Sequence, residues 1–178
     1  MMGAQGLVAV DVPHATGTRV EGLNDRGDVA GWFLDSSEAG KARGFIRDSH
    51  GDFTVFDVPN AAGTFPSSIN TSEEVTGYFV DLRQNKQRGF VRDQSGKFSI
   101  FDDINATLTT ARSINDGGYV TGDFSDAAGT SHGFVRDRTG TMTVFGVSGS
   151  GTSAFAINAW GDVTGSFFFV DHGAVGAA

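Results

Sequence analysis

The sequence predicts an all-β fold: a β-propeller with four blades per chain, each blade a four-stranded antiparallel meander. Three recurring landmarks carry that expectation. The asparagine of Asn-x-x-(Gly/Glu)-x-Val-(Ala/Thr)-Gly returns at Asn24, Asn70, Asn115 and Asn158, in steps of 46, 45 and 43 residues. Gly-Phe-(Ile/Val)-Arg-Asp returns at 44–48, 89–93 and 133–137. An apolar segment ending in Phe-Asp-Val-Pro, or a relative of it, occupies 53–59, 98–104 and 142–148. Repeats of about 40 to 50 residues, each able to form a four-stranded meander, mark propeller blades.

The elements follow in order within each copy. In the third, strands are expected at 111–115, 119–126, 132–137 and 141–147. The turns between them, 115–118, 126–129 and 137–140, put Asn or Asp first and Gly fourth, which suits a type I turn followed by a residue at positive φ. Gly31, Gly77, Gly122 and Gly165 fall in mid-strand, where glycine weakens a sheet, so a neighbouring side chain, a Phe, is expected over the backbone there. The whole chain, 1–178, reads as a single repeat domain with copies at about 18–59, 64–104, 109–148 and 152–171 and a strand at 7–13 before them.

The two ends suggest how the repeats join. Val10-Asp11-Val12-Pro13 matches the end of a fourth strand, while the last copy runs out after Phe167-Phe168-Phe169-Val170-Asp171. The opening strand is therefore expected to complete the last blade, in cis to clasp one ring, or in trans through residues 7–12. Donation in trans would give an eight-bladed dimer or a filament, depending on whether the rotation closes.

Composition agrees with short strands and tight turns: 26 Gly, about twice the average usage, and 16 Phe among 178 residues. A formal charge of −8 argues against a nucleic-acid surface, which needs clustered Lys and Arg. With no cysteine, disulfides and thiolate metal sites are excluded. No run approaches the ~18 apolar residues of a membrane span, and no signal peptide is visible at the start.

Taken together, Gly-Phe-Val-Arg-Asp, the glycine hairpin after it, Phe-Asp-Val-Pro and Ile-Asn-x-x-Gly-x-Val-Thr-Gly resemble the bacterial repeat family known as HAF, a probable extracellular repeat. The resemblance runs from about Leu7 to Asp171. It departs at Asp103-Ile104, at Gly146-Val147-Ser148 and in the shortened fourth copy. It implies a secreted or cell-surface bacterial protein and brings no catalytic residues with it.

Several residues invite a chemical reading. Asn24, Asn70, Asn115 and Asn158 are either a ring of amides lining a ligand channel or the heads of Asx turns. Arg47, Arg92 and Arg136 alternate in facing with the Asp that follows each. They are expected to bridge to a carboxylate on an adjacent strand or blade, while the Asp opens the next turn. The acidic segments 35–38 and 123–129 raise calcium, yet neither follows the Asp-x-Asp-x-Asp-Gly pattern, so no cofactor is expected. His132 reads as a turn residue. No Ser-His-Asp order and no paired-carboxylate site stands out.

The aromatics that break the repeat point to a ligand. Trp32 and Tyr78 share a slot whose other members are Asp123 and Ser166, and Phe65, Tyr119 and Trp160 are also large where other copies are small or polar. Trp32, Tyr78, Tyr119 and Trp160 are the candidate ligand-binding residues. The function expected from all this is a non-enzymatic binding or structural module. Its partner would be a second copy of itself through residues 7–12, or a glycan or protein ligand.

Overall fold

The computed structural model describes residues 8–169, and the fold is all-β. The first repeat comprises β1 (Ala15–Leu23), β2 (Val29–Asp35), β3 (Lys41–Arg47) and β4 (Phe53–Phe56). The second comprises β5 (Ala61–Ile69), β6 (Val75–Asp81), β7 (Lys86–Arg92) and β8 (Phe98–Phe101). The third comprises β9 (Leu108–Ile114), β10 (Val120–Ser125), β11 (Ser131–Arg136) and β12 (Met142–Phe145). Each is an antiparallel meander in chain order, and a lone parallel bridge from Gln87 to Leu108 joins the second sheet to the third. The fourth repeat is the hairpin of β13 (Ser150–Ile157) and β14 (Val163–Phe169). A 3-10 turn at Ser36–Glu38, capped by the Asp35 carboxylate, interrupts the pattern.

The first strand of each repeat packs across the three leading strands of the repeat before it: β5 on β1 to β3, β9 on β5 to β7, β13 on β9 to β11. Cores are therefore shared. Phe56 and Val58, at the end of the first repeat, are buried with Ile69, Val75, Phe79 and Phe90 of the second. Phe101 and Ala106 stand in the same relation to Ile114, Val120, Phe124 and Phe134 of the third. A two-sided apolar sheet is stable only when both faces are covered, and this stacking covers them.

The structure corrects the expected clasp. The sheets are not closed, and the described residues form three whole meanders and half of a fourth. Leu7 lies outside the described residues, as do Val170 and Asp171. Residues 8–12 pair with no strand. Val12 is instead buried against Phe33 and Phe45 of the first repeat, as Val58 is buried in the second. The likeness of 10–13 to 56–59 thus records a packing role: Val12 and Val58 each belong to the core of the repeat that follows, whereas Val147 in the same slot is exposed.

The mid-strand glycines are also explained differently. A Cβ on Gly31, Gly77, Gly122 or Gly165 would lie 2.0, 2.2, 2.0 or 2.1 Å from the carbonyl oxygen of Arg19, Phe65, Thr110 or Ser153. At each place the first strand bulges against the second, with register shifts beside Val20, Pro66, Thr121 and Ala154. A backbone carbonyl comes closest at all four, and only at Gly122 does an aromatic ring, that of Phe134 at 3.0 Å, also fill the space. The ring-covered glycines are those of the Gly-Phe landmark. Gly44, Gly89 and Gly133 would each press a Cβ into Phe56, Phe101 and Phe145, at 2.7, 2.6 and 2.6 Å.

The arginines are corrected too. None of Arg47, Arg92 and Arg136 pairs with a carboxylate among the described residues. Arg92 lies over Phe56 at 5.0 Å and Arg136 over Phe101 at 4.8 Å, each an aromatic of the preceding repeat. Arg47, with no such neighbour, lies over Phe53 at 6.0 Å. Burial pushes the Arg92 and Arg136 pKa values down, and the ring face offsets part of that cost by cation–π attraction. The following aspartates do open turns: Asp48 accepts the amides of His50, Gly51 and Asp52, and Asp93 and Asp137 act alike.

The asparagines are Asx-turn heads with a second task. Asn70 Oδ1 accepts the amides of Ser72 and Glu74 at 3.0 and 2.9 Å. Its Nδ2 donates to Glu74 Oε2 at 2.7 Å and to the carbonyl of Asn115, in the next repeat, at 3.1 Å. Asn24 reaches the Asn70 carbonyl at 3.0 Å, and Asn115 reaches that of Asn158 at 2.8 Å. Asn158 is solvent-exposed and bonds within its own turn.

Two outcomes follow. Asn70→Ala removes three turn bonds and an inter-repeat bond, and is expected to cost about 3–4 kcal/mol at about 1 kcal/mol per bond. Asn158→Ala is expected to cost about 1 kcal/mol or less, and urea denaturation of the two variants checks the order. In acid, hydrogen bonds from Asp52, Ser95 and Thr139 hold Asp48, Asp93 and Asp137 below the usual carboxylate range. Their contribution is full above the unfolded value of about 4 and is lost as pH falls through the folded values. Melting temperature should hold steady from neutrality to about pH 5 and drop below about pH 4; a melt unchanged down to about pH 2 would contradict this.

Candidate functional site

The first strands of all four repeats border one open groove of about 370 Å³, lined by Arg19, Glu21, Trp32, Ser67, Tyr78, Thr110, Arg112 and Phe155. The strand bulges put it there. Arg19 on β1 stands opposite Trp32 on β2, and Phe65 on β5 opposite Tyr78 on β6. Each pair therefore sits on the same face of its own sheet.

One side of the groove is aromatic. Phe65 stacks on Tyr78 with centroids 4.9 Å apart and planes 16° apart, and Trp32 meets Phe65 edge-on at 5.4 Å and 76°. All three rings are half-buried. Burial pushes the Tyr78 phenol pKa up, and the Glu21 carboxylate adds to this against the opposing pull of Arg19 and Arg112. The phenol therefore stays protonated and can donate a hydrogen bond across the physiological range.

The charged groups of the groove stand beside the rings, Arg19 next to Trp32, and are internally balanced. Arg19 pairs with Glu21 at 2.5 Å. Arg112 pairs with Asp123 at 2.5 Å and lies over the Phe155 ring at 5.4 Å. Asp123 holds the slot that Trp32 and Tyr78 occupy in their own repeats. It is buried, and the Arg112 guanidinium neutralises it there. With Ser67 and Thr110, these pairs offer donors and acceptors to a polar ligand while the rings offer flat apolar area.

Of the four aromatics predicted to bind a ligand, the structure brings together Trp32 and Tyr78, and adds Phe65. Tyr119 and Trp160 lie elsewhere, in or beside the Asn-headed turns, exposed to solvent; Trp160 is 87% exposed. The sequence missed Arg19, Glu21 and Arg112. Their signal was visible in hindsight: the two slots they fill hold Phe65, Thr110 and Ser153, and Ser67 and Phe155, in the other copies. Such variability in a repeat marks a surface without a common packing partner.

The remaining predicted chemistry is accounted for by local bonds. Asp35 caps its 3-10 turn and pairs with Arg43 at 3.1 Å. Arg88 pairs with Asp81 in the second repeat, and His132 bonds Asp126 at 2.9 Å in the third. His132 thus lies on strand β11, not in a turn, and stacks on Phe124 at 5.0 Å. Among the described residues no three His, Asp or Glu side chains converge as a metal site.

No protein-family model and no curated protein matches the chain. A solved structure described as "Streptogramin B lyase structure" matches it at 17% identity and a TM-score of 0.48. The match covers 85% of this chain and 54% of that one, so the chain spans about half the length of that neighbour. The neighbour is a lyase by its description, which corrects the expectation of a non-enzymatic protein; that expectation is withdrawn. At this TM-score the likeness assigns no reaction and no site here.

Proposed function

We propose that the chain is a propeller-type ligand-binding module, an arc of blades arranged about the groove, and that the groove takes a glycan. The observation that carries the reading is the Trp32–Phe65–Tyr78 cluster sharing one groove with the Arg19–Glu21 and Arg112–Asp123 pairs. A sugar ring presents an apolar C–H face and a rim of hydroxyls. The aromatic side suits the first, and paired charges, each with spare donor or acceptor capacity, suit the second. The formal charge of −8 disfavours strongly anionic polymers. The motifs shared with HAF-type repeats support placing the module on a bacterial cell surface, where glycans are abundant.

A glycan array followed by calorimetry tests the reading. Trp32→Ala is expected to weaken binding about tenfold, a loss near 1.4 kcal/mol. Trp160→Ala, which alters an exposed ring outside the groove, should leave affinity unchanged. An array on which the chain binds nothing above background would count against the proposal, as would equal effects of the two variants.

A further inference from the structure

The two ends of the described repeat stack present complementary surfaces. At the leading end, Leu23 is 69% and Val20 42% exposed. Their counterparts Ile69, Ile114 and Ile157, and Pro66, Ala111 and Ala154, are all buried. The difference lies in the neighbour, since β5, β9 and β13 each lie against a preceding repeat and β1 does not. Yet residues 8–12 already stand where the outer segment of a preceding repeat would, with Val12 in the core of the first repeat.

At the trailing end the fourth repeat has its first two strands among the described residues. Thr164 is exposed, whereas its counterparts Thr76 and Thr121 are fully buried and bond the third strand. The polar groups match in sense as well. Asn24 and Asn70 each spend one Nδ2 hydrogen on their own turn and one on the next asparagine carbonyl. Asn158 spends one on Asp162 and faces no following repeat among the described residues. The Asn24 carbonyl accepts from Gly27 within its turn and, unlike that of Asn70, from no preceding asparagine. Asp25 occupies the slot of Asp116, which accepts the Thr71 amide of the preceding repeat at 2.8 Å.

We propose that a second copy of this chain docks head to tail, the β13–β14 hairpin of one copy covering β1 of the next. The contact continues the interface already repeated inside the chain. Asn158 Nδ2 donates to the Asn24 carbonyl of the following copy, the Ala159 amide donates to its Asp25, and its Leu23 and Val20 are buried. Its residues 8–12 supply the outer segment of the composite repeat. One internal bond is not reproduced: Ser68 and Ser113 accept the Ile114 and Ile157 amides, and Ala156 has no hydroxyl. Gly22 lacks one too, and the first two repeats pack nonetheless. Because donor and acceptor surfaces differ, the association is heterologous and forms a ring or an open chain of copies.

Light scattering over a concentration series is expected to give multiples of the monomer mass. Leu23→Asp blocks the head and Thr164→Arg the tail, both at exposed positions, and each variant alone should be monomeric with wild-type melting. Mixed in equal amounts they should form a dimer and nothing larger, since one retains a tail and the other a head. A wild type that stays monomeric at every concentration overturns the proposal. So does a mixture that stays monomeric, or oligomers that persist in both single variants.

Discussion

One carboxamide sets the stacking. Its Oδ1 accepts two amides of the turn that it heads, as at Asn24, Asn70 and Asn158. Those two bonds fix the side-chain torsions, and Nδ2 must then point out of the turn. One hydrogen meets the carboxylate four residues on, at Asp28, Glu74 or Asp162. The other is left aimed at whatever stands beside the repeat. Turn formation and docking are therefore a single event: a repeat that has closed its turn already presents the donor that places its neighbour. A buried amide without a partner costs about 1–3 kcal/mol, so a shift of one residue between two repeats would be penalised at the rung that joins them.

Close backbone approach is the second consequence. With the turns held in register, the first strand of each repeat bulges toward the second until its carbonyl occupies the space of a side chain, and glycine is the residue that allows it. The bulge turns the first-strand side chains toward the groove. A different glycine, in the Gly-Phe landmark, makes room for the phenylalanine of the fourth strand, whose ring also reaches the third strand of the next repeat, as Phe56 meets Phe90 and Phe101 meets Phe134. Arg92 and Arg136 lie over those same rings. The abundance of Phe and Gly is thus one feature: rings serve two repeats, and glycines admit them.

Strand order, turn positions and turn chemistry were legible because each depends on a few adjacent residues. Gly118, Gly129 and Gly140 adopt the positive φ that their turns require, and Asp48 and Asn70 head the turns expected of them. What was not legible depends on residues some 45 positions away. A sequence shows that Gly77 is fixed; it does not show whether a ring or the Phe65 carbonyl fixes it. Arg136 likewise resembles half of an ion pair until the partner in space proves to be Phe101. The Val10–Pro13 match was the most misleading, because in this fold the end of one meander belongs to the core of the next. Sequence likeness there identifies the core that Val12 enters, and is silent about strand pairing.

The contrast between repeated and variable slots bears on where recognition resides. Slots held on both sides by neighbouring repeats keep their residue: Thr64, Thr109 and Thr152 are buried alike, and the four asparagines never change. The slot of Trp32, Tyr78, Asp123 and Ser166 changes at every copy, and so do the two slots of Arg19 and Glu21. No shared packing constraint acts on these positions, so each can be set by what it meets in the groove. The result is a groove whose rings, Trp32, Phe65 and Tyr78, come from the first two repeats and whose ion pairs, Arg19–Glu21 and Arg112–Asp123, come from the first and the third. A groove bordered by nearly equivalent strands would otherwise have near-equivalent walls. That asymmetry would give a ligand of the proposed kind one preferred direction, which a stack of identical repeats could not supply.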